Sequence, residues 1–505
     1  MLLSLRQRSL RPHASRPHSS RRLRAALLAT AATCVLAAAP PPVAPAGIGD
    51  PLFPNLGNPG YDVLSYDIGF TYQGDNTKPM EAVTTIDALA TDWLQRINLD
   101  FARGTVHSVE VDGRPAAFAS ADEDLVITPG HPVYAGHQMR ITVRHTSDPG
   151  AGGDGGWVRT SDGLVMANQA DAAHRVFPCN DHPSDKALFT FHVDAPKDYT
   201  VVANGLPVGR ERAGNRVLST YRTEHPMATE LAQVSIGRSA VLHREGPHGL
   251  PVRDVVPAAD KGRLERWLKK TPDEIAWMER LVGPYPFETY GVLIAGADTG
   301  FELETQTLSL FERSLFVRPG FPEWYVDSVM VHELAHHWFG DSVSPRAWSD
   351  LWLNEGHATW YEALYAQERG KRPMEARMRE AYRQSDGWRA QGGPPAAPKP
   401  PAPGQKISIF RPVVYDGSAL VLFALREEIG TPRFEELERR WVSEHRDGTA
   451  TTADFVHLAS EVAGRDLAPF LQGWLYGAKT PPMPGHPDWH GAAPVAGRTA
   501  APRHA

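Results

Sequence analysis

Apolar and polar positions alternate with a period of two through the first half of the chain. Tyr66, Ile68, Phe70 and Tyr72 stand at every second position, as do Phe189, Phe191 and Val193. Shorter runs at Val106–Val111, Leu125–Thr128 and Met139–Val143 fall between turn signals such as Asp112-Gly113 and Asn204-Gly205. From Tyr61 to about Arg238 helical periodicity is nearly absent, which predicts an antiparallel β-sheet or sandwich domain. The pattern loosens over Val241–Val256 and then changes period. Leu264, Trp267, Leu268, Ile275, Met278 and Leu281 form a helical stripe over Lys261–Leu281. A domain boundary near Arg238–Arg253 follows. Gly283-Pro284-Tyr285-Pro286-Phe287 interrupts the helix ahead of a strand at Gly291–Ala295. Helices are expected from Thr359 to about Arg383, from Val413 to Ile429, and as a pair over Asp454–Tyr476. Gln391–Gln405 is rich in Pro and Gly and reads as a loop. The fold class is α+β and multidomain: leader 1–46, β domain 50–245, mainly helical domain 246–484, and a disordered Pro/Gly/Ala-rich tail 485–505.

Composition narrows the class. The 505 residues are 42% hydrophobic and 22% charged, ordinary for a soluble globular protein of two sizeable domains. The net charge is −7, and the first 46 residues carry seven Arg and no acid, so the chain without them sits near −14. An acidic body of that size argues against nucleic acid and anionic membranes as partners. Met1–Ala46 has the layout of a secretory leader: arginines, then the small apolar run Ala25–Ala39, then cleavage options at Ala37-Ala38-Ala39 and Ala44-Pro45-Ala46. No later apolar stretch is long enough to cross a bilayer, so secretion is expected and a membrane span is not. Ser20-Arg21-Arg22 lacks the hydrophobic position that follows in a twin-arginine signal. Ala31-Ala32-Thr33 before Cys34 matches a lipidation site poorly. Cys34 and Cys179 are the two cysteines; without the leader Cys179 stands alone and is expected to be a small buried hydrophobe.

Candidate chemistry concentrates in VHELAHHWFGDSVSPRAWSDLWLNEGHATW, Val331–Trp360. His332 and His336 are four apart, so on a helix they project from nearly one face and can grip one small cation, with Glu333 beside them. Two protein ligands are too few for a catalytic zinc, which takes three plus a water; Glu355, beyond a turn at Ser344-Pro345, can be the third. His337 points away from the ligand face and is expected to be a packed or surface histidine. Phe339 and Ser342 exclude the metzincin pattern, which needs Gly and His there.

HELAHHWFGDSVSPRAWSDLWLNEG resembles the signature of the aminopeptidase N family of zinc metallopeptidases (gluzincins): HExxH, eighteen residues, then Glu. His337 departs from the family's usual Gln. Gln169 to Phe191, which contains Phe177-Pro178-Cys179, is similar to the family's FPC-x-D-x-P-x-x-KA stretch and places Gln169 where the family carries a substrate-binding Gln. Gly300-Phe301-Glu302-Leu303-Glu304-Thr305 resembles the GxMEN exopeptidase motif with Glu304 in the Glu place. Phe301 and Thr305 depart from that motif, and Glu302 is an unexpected second acid. Tyr415 matches the family's catalytic Tyr, although Gly417 and Ser418 differ from the residues usual there.

The resemblance, covering roughly Tyr61–Pro482, implies a thermolysin-like catalytic domain. The chain is expected to lack the C-terminal helical-repeat domain of the longer members, being too short for it. It also implies one zinc and a peptide substrate with a free N-terminal amine. His332, His336 and Glu355 are expected to hold the zinc, Glu333 to act as general base, and Tyr415 to bind the oxyanion. Glu304 with Gln169 is expected to hold the amine. Asp350 is expected either to orient a ligand histidine or to be an ordinary helix-surface acid. Within enzymes the alternatives are an endopeptidase or the epoxide hydrolase of one branch of the family. Outside them, the alternative is a secreted binding module with structural zinc, which needs a fourth protein ligand.

Overall fold

The computed structural model describes residues 47–150, 155–297, 299–400 and 409–491. The predicted leader and the end of the predicted tail lie outside these residues.

Eight strands form the main sheet of the N-terminal region. Its centre is Tyr61–Thr71, flanked by Met80–Ala90 and Leu188–Pro196. Side chains of the first strand alternate between buried and more exposed, so Tyr66, Ile68 and Phe70 enter the core. There Phe189 stacks on Tyr66, with centroids 4.8 Å apart, and on Phe191 at 5.7 Å. One departure from a purely antiparallel sheet is found: Tyr61–Thr71 runs parallel to Leu188–Pro196. More than a hundred residues separate the two strands, ample for the crossover that parallel pairing requires. Cys179 is buried and free, as its setting predicts.

A four-stranded sheet contains Leu164–Ala167, which leads directly to Gln169. Another joins Ser239–Glu245, Pro251–Pro257, Val292–Ala295 and Ser309–Glu312, and its edge strand supports Glu304 through a bridge between Leu303 and Leu310.

Ten helices follow among the described residues: α1 Lys261–Leu268, α2 Thr271–Val282, α3 Arg313–Val317, α4 Glu323–Ala335, α5 Trp352–Glu368, α6 Met374–Gly392, α7 Asp416–Ile429, α8 Thr431–Glu444, α9 Thr452–Ala463 and α10 Ala468–Tyr476. α4 is buried nearly all round from Val326 to Ala335, the pattern of a central helix rather than a surface one. α5 lies against both α4 and α7. It approaches α7 so closely that a Cβ on Gly356 would sit 2.7 Å from the Ser418 Cβ. The predicted turn at Ser344-Pro345 is a two-residue strand paired with Thr449–Ala450.

The expectation that the tail separates after residue 484 needs correction. Trp489 is buried and stacks on Phe423 at 5.7 Å, so the chain stays packed on α7 at least to that residue. An indole has a large apolar area to remove from water, which outweighs the low-complexity composition around it.

Candidate active site

The HExxH segment occupies the last turn of α4, with His336 as its C-terminal cap. One helical turn separates the two imidazoles, whose Nε2 atoms lie 3.3 Å apart. Glu355 sits in the first turn of α5, and its Oε2 is 3.4 Å from each of those nitrogens. Ligand bonds of about 2.0–2.1 Å in tetrahedral array place donor atoms about 3.3 Å apart, so the three separations fit one zinc-sized ion. Glu355 Oε2 is buried and, among the described residues, receives no hydrogen bond, as suits a metal ligand.

The electrostatics agree. Burial opposes a charged His332, yet Glu355 and Glu362 outweigh it and hold its pKa up at about 9. Burial would raise Glu355, but the two imidazoles pull it down to about 2. A site that stabilises positive charge this strongly is suited to a divalent cation.

Each imidazole is also held on its other side. His336 Nδ1 is 3.1 Å from the Phe339 carbonyl, and His332 Nδ1 is 3.5 Å from Glu362 Oε2. Such contacts fix the ring and its tautomer. Glu362 is in turn gripped by Arg377 at 2.8 Å, and the Arg377 Nε donates to Asp416, next to Tyr415, at 2.7 Å. The sequence reading missed Glu362. Its signal was spacing: seven residues after Glu355, it lies on the same face of α5. Asp350 does not take this place. It accepts from the Thr452 amide and hydroxyl at 3.0 and 2.7 Å and anchors the start of α9.

The remaining candidates line one cleft with the metal trio. Glu333 lies within 4.8 Å, oxygen to donor atom, of His336 and Glu304. Burial pushes its carboxyl up to about 8, with the imidazoles restraining the rise and Glu304 and Glu302 adding to it. Burial and the carboxylates of Glu355, Glu304 and Glu333 keep the Tyr415 hydroxyl well above 10, so it is a hydrogen-bond donor at any working pH. Its ring centroid is 6.0 Å from that of His332. Gln169 Nε2 donates to Glu304 Oε1 at 2.6 Å, joining residues 135 apart in sequence. That bond leaves the other Glu304 oxygen for a cation. His337 is packed, as expected: Nδ1 meets the Tyr285 hydroxyl at 2.8 Å and Nε2 the Ser309 hydroxyl at 3.0 Å.

The model of the peptidase family M1 domain matches residues 268–474, and that of the peptidase M1 N-terminal domain matches 161–231, together more than half of the chain. Glutamyl aminopeptidase of Mus musculus is 24% identical over 390 residues, covering 70% of this chain and 39% of the relative. Leucyl aminopeptidase of Saccharolobus solfataricus is 25% identical, covering 62% and 41%. The chain thus spans about two fifths of the length of these relatives. The crystal structure of an M1 zinc metallopeptidase from Deinococcus radiodurans is similar over 87% of this chain and 99% of that one, with a TM-score of 0.73 and 26% identity. A mutant of the same enzyme bound to a Tyr-Ser-Ala substrate gives a TM-score of 0.71 at 26% identity.

Proposed function

The chain belongs to the M1 family of zinc metallopeptidases, and from that premise we propose that it is an exported aminopeptidase that releases the first residue of oligopeptides. What carries this reading is the Glu304–Gln169 pair beside the metal trio: a carboxylate there meets a free α-amine, which is a cation near neutral pH. Such an anchor limits entry to one residue ahead of the scissile bond. Export is supported by the arginine-led apolar leader of residues 1–46. The division into a β region, 50–245, and a helical region, 246–484, assigns metal and base to the second and Gln169 to the first.

His332, His336 and Glu355 would hold the zinc. When bound, zinc lowers the pKa of water and polarises a carbonyl. Glu333 takes the proton of the attacking water and delivers it to the leaving amine; burial, which raises its carboxyl, favours holding that proton between the two steps. Tyr415 donates a hydrogen bond to the oxyanion as the carbonyl becomes tetrahedral. Glu304, oriented by Gln169, holds the α-amine, while Glu362 and Arg377 keep His332 and the Tyr415 segment in place.

The test compares a fluorogenic amino-acid amide with its N-acetylated form. The intact enzyme should cleave only the former, and Glu304→Gln should lower kcat/KM for it at least tenfold. Comparable cleavage of the acetylated substrate would instead make the protein an endopeptidase.

A further inference from the structure

Six carboxylates line the cleft, and five are engaged in the chemistry above: Glu304, Glu333, Glu355, Glu362 and Asp416. Glu302 is not. Among the described residues no basic side chain pairs with it and no side chain donates to it. It nevertheless faces the cleft and is only partly exposed. Burial and the nearby Glu312 raise its carboxyl to about 7, with His332 opposing, so its ionised form gains from an incoming cation.

Position gives that cation an address. Glu302 and Glu304 are two residues apart in an extended segment, so they share a face about 6.5–7 Å apart. Glu304 lies on the His336 flank of the metal site, 4.0 Å from His336 Nδ1. Glu302 lines the same cleft wall as Val329 and His332. A peptide whose amine is held at Glu304 extends along the cleft that Glu302, Val329 and His332 also line. The offset of about 6.5–7 Å between Glu304 and Glu302 matches the reach from an α-amine to the side chain of the following residue in an extended peptide.

We propose that Glu302 receives the cationic side chain of the second substrate residue, so that peptides with Lys or Arg just beyond the scissile bond are favoured. This rests on the aminopeptidase reading.

The test is calorimetric binding to Glu333→Ala, in which peptides are not turned over. The peptides are Ala-Lys-Ala, Ala-norleucine-Ala and Lys-Ala-Ala, with and without Glu302→Gln. Ala-Lys-Ala should bind about tenfold more tightly than its norleucine analogue, in keeping with one partly buried ion pair. Glu302→Gln should bring that ratio to about one, and Glu302→Asp should retain a preference, which separates charge from folding. A ratio near one in the parent, a ratio that survives Glu302→Gln, or a preference confined to Lys-Ala-Ala overturns the inference alone. Failure of every free-amine peptide to bind overturns the aminopeptidase reading and this inference with it.

Discussion

Replacing Glu362 by Gln is expected to loosen the metal while leaving the fold intact. The carboxylate lies 3.5 Å from His332 Nδ1 and 2.8 Å from Arg377. A unit-charge pair at such a distance is worth about 5 kcal/mol at an effective dielectric of about 20, which sets a ceiling. An amide of the same shape still accepts from Arg377, and Arg377 keeps Asp416, so much of that ceiling is not lost. Outer partners of this kind contribute about 10- to 100-fold to metal affinity, or about 1.4–2.7 kcal/mol. Competition with a fluorescent chelator, with zinc counted by mass spectrometry, reads this directly. Glu362→Gln should bind zinc 10- to 100-fold more weakly, and part of its lost activity should return when zinc is added. Unchanged zinc affinity would refute the view that Glu362 orients His332. A collapse of the metal-free protein's melting transition would show that the network serves folding instead.

Tyr415→Phe should retain stoichiometric zinc yet lose about 10²–10³ in kcat, the cost of one oxyanion donor; a loss below fivefold would remove Tyr415 from the chemistry. Gly356→Ala should destabilise the protein by about 1–3 kcal/mol in denaturant melts and lower kcat, because the new methyl meets Ser418 and parts α5 from α7. Glu274 is buried in α2, and burial raises its carboxyl from 4.5 to about 8. The folded state therefore holds a proton that the unfolded chain releases, and stability from this group declines as pH rises from about 4.5 through 8. Glu274→Gln should flatten that slope in melts at stepped pH, and an unaltered slope would contradict the assignment. Trp489→Ala should cost about 3 kcal/mol through the lost packing against Phe423 and Tyr382, whereas an unchanged melt would return this segment to a loose tail.

What could be read beforehand followed the range of the interactions. His332 and His336 are related by one turn of helix, so their convergence is local and visible in the spacing. The step to Glu355 needs only the return of the chain into α5. Glu362 had the same visibility, through its i+7 relation to Glu355, and so did the periodic Phe434, Leu437 and Trp441 of α8. Asp350 shows the opposite case. Close to the ligands in sequence, it is turned by the short 3₁₀ segment Trp348–Asp350 toward the start of α9. Gln169 and Glu304 come from different sheets, and periodicity alone does not connect them; a motif resemblance was needed to pair them in advance. The parallel pairing of Leu188–Pro196 with Tyr61–Thr71 was hidden for a related reason, since alternation reports a strand's faces but not its neighbour's direction.

The central claim is that His332, His336 and Glu355 converge on one ion with a position left open. Diffraction at the zinc absorption edge from crystals of the purified protein tests it most directly. The account predicts one anomalous peak about 2.0–2.2 Å from both Nε2 atoms and a Glu355 oxygen, with no fourth protein ligand. A peak away from this trio, or one closed by a fourth side chain, would contradict it.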